Sequence, residues 1–231
     1  MRTSLLDELR CPAGSPACGG RLVAESWQLE QDTAVADIRE GTLTCTHCAA
    51  TYYIVGGVAI LLTALPRYLN DHLPVLRRLA EHGAVSATMI STLTGIADNP
   101  ADSPHQRRSE RLEERYTHAF LGAHYDSAVP ATGAHPLVQA MLQVQAETGL
   151  WSVIQKHLDT THPRRVLDIG CSVGGVTAAA AAAASGSTAL GIDTSFLSIY
   201  HARRVNCQPR AGIGLVYLIW AHSPSVLFAR V

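Results

Sequence analysis

The sequence predicts an α/β protein: a Rossmann-like parallel sheet preceded by a small cysteine-bearing β domain and a helical segment. Three observations carry that prediction. Four of the six cysteines, Cys11, Cys18, Cys45 and Cys48, fall near the N-terminus among strand-like runs. From Leu69 to Leu158, apolar residues recur at helical spacing. From Arg165 onward, short apolar runs alternate with helical patterns, an order that makes a parallel sheet with right-handed crossovers. The predicted boundaries are 1–66, 67–162 and 163–231.

Composition narrows the classes. Of 231 residues, 47% are hydrophobic and 16% charged, enough apolar material for a core and too much for wholesale disorder. The formal net charge is −1, which gives no global attraction to nucleic acid or anionic membranes. The longest apolar candidates, Ile54–Leu65 and Ala211–Ala221, fall short of the ~18–20 residues of a membrane helix and contain glycine. Asp7 and Glu8 stand where a signal peptide needs its apolar region, so a soluble, cytoplasmic protein without membrane contact is expected. That compartment favours thiolate chemistry over disulfides.

The elements follow in order. Gly41–Thr44 and Thr51–Val55 read as strands, and Pro66 closes the first part. Leu69, Leu73, Leu76 and Leu79-Ala80 form one helical stripe, with Asn70 or Asp71 as its cap and Gly83 as its stop. Residues 98–108 are rich in turn formers and read as a linker. Leu112, Tyr116, Ala119 and Phe120 make a second stripe capped by Ser109. A third helix runs from Pro136 to Gly149, and Trp151, Ile154 and Leu158 mark a fourth. Then come a strand at Arg165–Ile169, an Ala-rich helix at Val173–Ala184, and a strand at Ala189–Asp193. A helix at Ser195–Val205, with Phe196, Ile199, Tyr200 and Arg203 at helical spacing, precedes a last apolar run at Ile213–Trp220.

Six residues separate Cys11 from Cys18, and two separate Cys45 from Cys48. Two such pairs can bring four thiolates to the corners of a tetrahedron, which suits structural zinc; the alternative is free buried thiols, and His47 is a substitute ligand. A small domain with a thin core needs such a staple. Leu5-Leu-Asp-Glu-Leu-Arg-Cys-Pro12, Gly41-Thr-Leu-Thr-Cys-Thr-His-Cys48 and Tyr52-Tyr-Ile-Val-Gly-Gly-Val-Ala-Ile-Leu-Leu62 resemble the Trm112-like zinc-ribbon family over residues 1–65. The chain departs from that family in its longer first spacer, in Ala49 where Gly is common, and in Tyr53 and Ala59 where Pro is common. The resemblance implies a partner or fused module of a methyltransferase.

Arg165-Val-Leu-Asp-Ile-Gly-Cys-Ser-Val-Gly-Gly175 reads as strand, tight turn and helix start. Small residues let a ligand approach the backbone, and the helix N-terminus offers N–H groups and a positive dipole end. Asp193 ends the next strand, where an acid can accept from ribose hydroxyls. A dinucleotide fingerprint would want Gly-x-Gly-x-x-Gly directly after the strand. The motif instead resembles motif I of the class I S-adenosylmethionine-dependent methyltransferases. By that resemblance Asp168 holds the methionine moiety, Gly170, Cys171, Ser172 and Gly174 form the floor under the cofactor, Asp193 holds the ribose and Thr194 edges the adenine. Cys171 as a nucleophile has no partner base at recognisable spacing.

Tyr116, His118, His124, Tyr125 and His135 fall in the helical segment that many methyltransferases place over the cofactor; Tyr125 is a lid candidate. Arg107, Arg108, Arg111 and Arg115, interleaved with Glu110, Glu113 and Glu114, read as a solvated face rather than an RNA contact. The last part has room for three strands, so the methyltransferase core reads as incomplete: a truncated or frameshifted product, a fragment, or half of an assembly that a partner chain completes. The expected function is methyl transfer from S-adenosylmethionine to RNA, protein or a small molecule, with no general base identifiable. The alternative is a non-catalytic adaptor of a partner methyltransferase, and a third reading is a nucleic-acid-binding zinc ribbon.

Overall fold

The computed structural model describes residues 1–14, 18–32, 35–98, 104–125, 150–183, 187–206 and 214–219. These form two compact units: Met1–Glu110 with the chain from Leu218, and Arg111–Tyr217.

The first unit is built on a four-stranded antiparallel sheet. β1 (Leu22–Asp32) and β2 (Val35–Cys45) form a long hairpin, and β3 (Thr51–Val55) and β4 (Val58–Ile60) continue it. The sequence reading found only parts of this, because polar residues interrupt the apolar pattern of β1 and β2. Gly41 on β2 has a physical role: a Cβ there would collide with the carbonyl oxygen of Glu25 on the neighbouring strand. Gly56 and Gly57, both at positive φ, close the β3–β4 turn.

Two helices complete this unit's core. α1 (Leu65–Glu81) buries Leu65, Leu69, Leu73, Val75 and Leu76, and packs on α2 (Ala87–Ile96), which buries Met89 and Leu93. Helix α1 starts earlier than the expected Asn70 or Asp71 cap, because Pro66 sits in its first turn, where the missing N–H costs nothing. Its stop is as predicted. Gly83, at φ 70°, donates its N–H to the Ala80 carbonyl. Helix α2 escaped the sequence reading although its signal is present: Ser86 caps it, accepting from the Met89 N–H at 3.1 Å. The buried Glu40 carboxylate accepts from both the N–H and the hydroxyl of Ser86, tying the helix to β2.

Helix α3 (Pro104–Tyr125) begins inside the expected linker, and Ser109 lies within it rather than at its cap. Its predicted apolar stripe is out of phase. Leu112 and Tyr116 are exposed, whereas Glu110, Thr117 and Ala119 are buried. The buried face is polar because its partners are polar. Arg78 pairs with Glu110, and Thr117 shares a 3.0 Å hydrogen bond with Ser198.

In the second unit β5 (Arg165–Ile169) and β6 (Thr188–Asp193) pair in parallel, Leu167 opposite Leu190 and Ile169 opposite Ile192. Helix α4 (Leu150–Thr161) precedes β5, α5 (Gly175–Ala182) links the two strands, and α6 (Phe196–Asn206) follows β6. Helix α5 packs on both strands and α6 on β6. As expected, α6 buries Phe196, Ile199, Tyr200 and Arg203. The last predicted strand is β7 (Gly214–Ile219), whose Leu218 and Ile219 pair in parallel with Ala59 and Ile60 within the first unit. The helix expected at Pro136–Gly149, with His135, lies outside the described residues, as does Cys207. No helix among the described residues is long and apolar enough to cross a membrane.

Candidate functional site

The four N-terminal cysteines converge. Their sulfurs all lie within 4.8 Å of one another and could hold a metal ion. Cys11 Sγ is 3.6 Å from Cys48 Sγ and Cys18 Sγ is 3.7 Å from Cys45 Sγ, far beyond a disulfide length of ~2.05 Å. At the ends of the long first spacer the Cys18 N–H donates to the Ala13 carbonyl at 2.6 Å, and the Gly19 N–H to the Cys11 carbonyl at 3.0 Å. In the second turn the Ala49 N–H donates to the Cys45 carbonyl at 3.1 Å, and Ala49 itself takes φ 59°, a conformation that favours glycine. Gly20 is sterically required, since a Cβ would stand 2.6 Å from Cys45 Sγ and 2.9 Å from His47 Cβ.

The sulfurs differ in protonation. Burial raises the Cys11 thiol to about 12, against the opposing pull of the Tyr52 hydroxyl. At Cys45 burial also raises, but N–H donors from Cys48 and His47 and the neighbouring thiols outweigh it and bring the group down to about 6. Cys45 is therefore more readily a thiolate than Cys11, and a bound metal would displace the protons that remain. His47 contributes its backbone N–H, 3.4 Å from Cys45 Sγ.

The second candidate site is the turn between β5 and α5. Asp168 and Asp193 stand at the carboxyl ends of two adjacent parallel strands, where open α/β sheets bind ligands. Gly170, Ser172 and Gly174 all take positive φ, at 76°, 49° and 78°. The N–H groups of Gly170 and Cys171 both donate to the Ile192 carbonyl, which pins the turn to β6. A Cβ on Gly170 would meet nothing within 4 Å. Ser172 is the strained member: it holds a left-handed conformation without being glycine, and its buried Oγ has no hydrogen-bond partner.

Asp193 organises the turn. One oxygen accepts from Ser172 N at 2.9 Å, and the other from Thr194 N at 2.7 Å and Ser195 N at 2.9 Å. Of about four acceptor positions on a carboxylate, one is left over. Asp168 accepts from Thr177 Oγ1 at 2.6 Å. Burial raises its pKa; the Thr177 bonds and His124 oppose that. His124, from α3, packs so closely on Gly175 that any Cβ there would strike its ring, and burial lowers its pKa. His124 is in the helical segment singled out above, but nothing in its local pattern places it beside Asp168. Burial, reinforced by the charges of Asp168 and Asp193, pushes the Cys171 thiol up, so it stays protonated and is a poor nucleophile.

Other predicted residues are not gathered here. Tyr116 and His118 are exposed, as are Arg108, Arg111 and Arg115, and the side chain of Tyr125 lies outside the described set. Glu113 accepts from Ser195 Oγ at 2.7 Å and from Leu197 N at 3.0 Å, so this member of the charged face caps α6. No protein-family model and no curated protein sequence matches the chain.

Proposed function

We propose that the chain is an S-adenosylmethionine-dependent methyltransferase carrying a structural zinc site. The observation that supports it best is the second turn: two carboxylates at the ends of adjacent parallel strands flank three positive-φ residues that open a helix. The residues present fit the cofactor. Gly170 leaves open space, Asp193 keeps an acceptor position for a ribose hydroxyl, and Asp168 offers a carboxylate to the methionine amine. When bound, the cofactor supplies an already activated methyl group. The chain's own part is binding and orientation. Asp193 fixes the turn that the ribose would meet, and Thr177 aims the Asp168 carboxylate.

The zinc reading rests on sulfur spacing. Zinc–sulfur bonds of about 2.3 Å set tetrahedral sulfurs about 3.8 Å apart, close to the 3.6 Å and 3.7 Å pairs. Four thiolates close the coordination sphere, so such a zinc stabilises and does not catalyse. That closed sphere also favours a second reading, a non-catalytic adaptor in which the metal unit docks a partner methyltransferase. Calorimetric titration of S-adenosylmethionine into the full chain separates them. One-site saturable binding is expected; no binding, with metal retained, would remove the enzyme reading and leave the adaptor.

A further inference from the structure

We propose that Tyr52 is a positioning residue of the metal site, its hydroxyl donating to the Cys11 thiolate and so setting how firmly the cluster holds a metal. Tyr52 lies on β3 opposite Leu43, and its side chain is 2% exposed. Its Oη stands 3.1 Å from Cys11 Sγ, in a buried contact. A buried phenol needs hydrogen-bond partners; the Ala13 backbone is one, and this sulfur is the one that can accept its proton.

The four sulfurs are not equivalent. Cys48 is exposed and Cys18 half-exposed, so water can share their negative charge; Cys11 and Cys45 are buried at 0% and 2% exposure. Four thiolates on a dication leave the site doubly negative, and the buried sulfurs need protein donors. Cys45 receives the His47 N–H at 3.4 Å. Cys11 receives the Tyr52 hydroxyl beside a backbone N–H from Ala13, and of these the hydroxyl is the larger influence on the thiol. The His47 donor is built into its turn, but the Tyr52 donor comes from a strand far along the chain and hangs on a single oxygen atom. Partners of this kind around metal ligands typically change affinity 10–100-fold when removed. Phenylalanine at position 52 would keep the ring and its packing and remove only the hydroxyl.

The inference rests on the metal reading of the four cysteines, and the test separates the two. Full-length wild type and Tyr52→Phe are loaded with cobalt(II), and the sulfur-to-metal charge-transfer band and the rate of metal loss to a chelator are recorded. Wild type should bind cobalt with a tetrahedral thiolate spectrum. Tyr52→Phe should shift the charge-transfer band to longer wavelength, because an unbonded thiolate gives up its electron more easily, and should lose metal about tenfold faster or more. A merely structural role for Tyr52 would not move the band. A second measurement needs no variant: in cadmium-loaded wild type, the Tyr52 hydroxyl proton should be protected from exchange and coupled to cadmium through the sulfur. A wild type that takes up no cobalt would overturn both the metal reading and this inference. A Tyr52→Phe chain with the wild-type band and release rate, or a cadmium spectrum without the coupled proton, would overturn the role of Tyr52 alone.

Discussion

The two candidate sites are built in opposite ways. In the first unit four side chains converge, and the Ala13 and Cys45 carbonyls accept backbone N–H groups from Cys18 and Ala49 beside them. In the second unit the backbone itself forms the surface, and a side chain, Asp193, holds it by accepting three N–H groups. The first arrangement could hold a metal ion, whose charge would offset that of the thiolates. The second is satisfied internally and leaves one strained residue, Ser172, with an orphaned hydroxyl. A cluster whose thiols share a metal, as proposed, depends on that metal to fold; a turn whose backbone N–H groups already find an acceptor in Asp193 does not.

The largest expected effect tests that asymmetry directly. Chelation, or Cys45→Ser, should unfold the first unit, since structural zinc sites contribute on the order of 10 kcal/mol. The second unit should keep its melting transition. Calorimetric scans with and without chelator would show this as loss of one transition; loss of both would mean the two units are not independent.

Glycine substitutions sharpen the contrast at smaller scale. Gly20→Ala drives a methyl into Cys45 Sγ and His47 and should cost about 3 kcal/mol, with weakened metal binding. Gly170→Ala meets open space and should cost only the left-handed strain, about 1 kcal/mol. Denaturant unfolding of both variants would rank them, and equal costs would argue against the crowded cluster. Asp193→Ala falls between, at about 2 kcal/mol, because it strands three donors around a half-exposed turn.

The smallest effect is a pH slope. The Asp168 pKa is raised in the folded state, chiefly by burial, so the native form holds its proton more tightly than the unfolded chain. Its contribution is fully present below the ordinary aspartate value of about 3.9 and is lost as pH rises through the raised folded value. His124 acts in the other direction. Its pKa is lowered by burial, so its contribution is present above about 6.5 and is lost as pH falls through the lowered value. Asp168→Asn should remove the first slope and leave the second, which urea unfolding across the acid range would detect. An unchanged profile would place Asp168 in contact with water.

Much of this was legible in the sequence, and the failures share a cause. The cysteine pairs, the strand–turn–helix at Arg165–Gly175 and the α6 stripe were readable because their residue types admit few roles at that spacing. The phase of α3 was not, because hydrophobicity predicts burial only where the partner is apolar. Here Arg78 and Ser198 bury Glu110 and Thr117 while Leu112 and Tyr116 face outward. The early start of α1 is hidden because a proline such as Pro66 suits the end of one element as well as the first turn of the next.

Local chemistry therefore determined which residues carry the two candidate sites: thiols to share a metal, small residues to permit a turn, acids to end strands. Tertiary structure decided what each one touches. It set the phenol of Tyr52 on Cys11, spent three of the Asp193 acceptor positions on backbone N–H groups, and brought His124 against Gly175. Those contacts join residues far apart in the chain. Pattern and spacing report only on neighbours along a strand or helix, whereas long-range contacts depend on how faces pack.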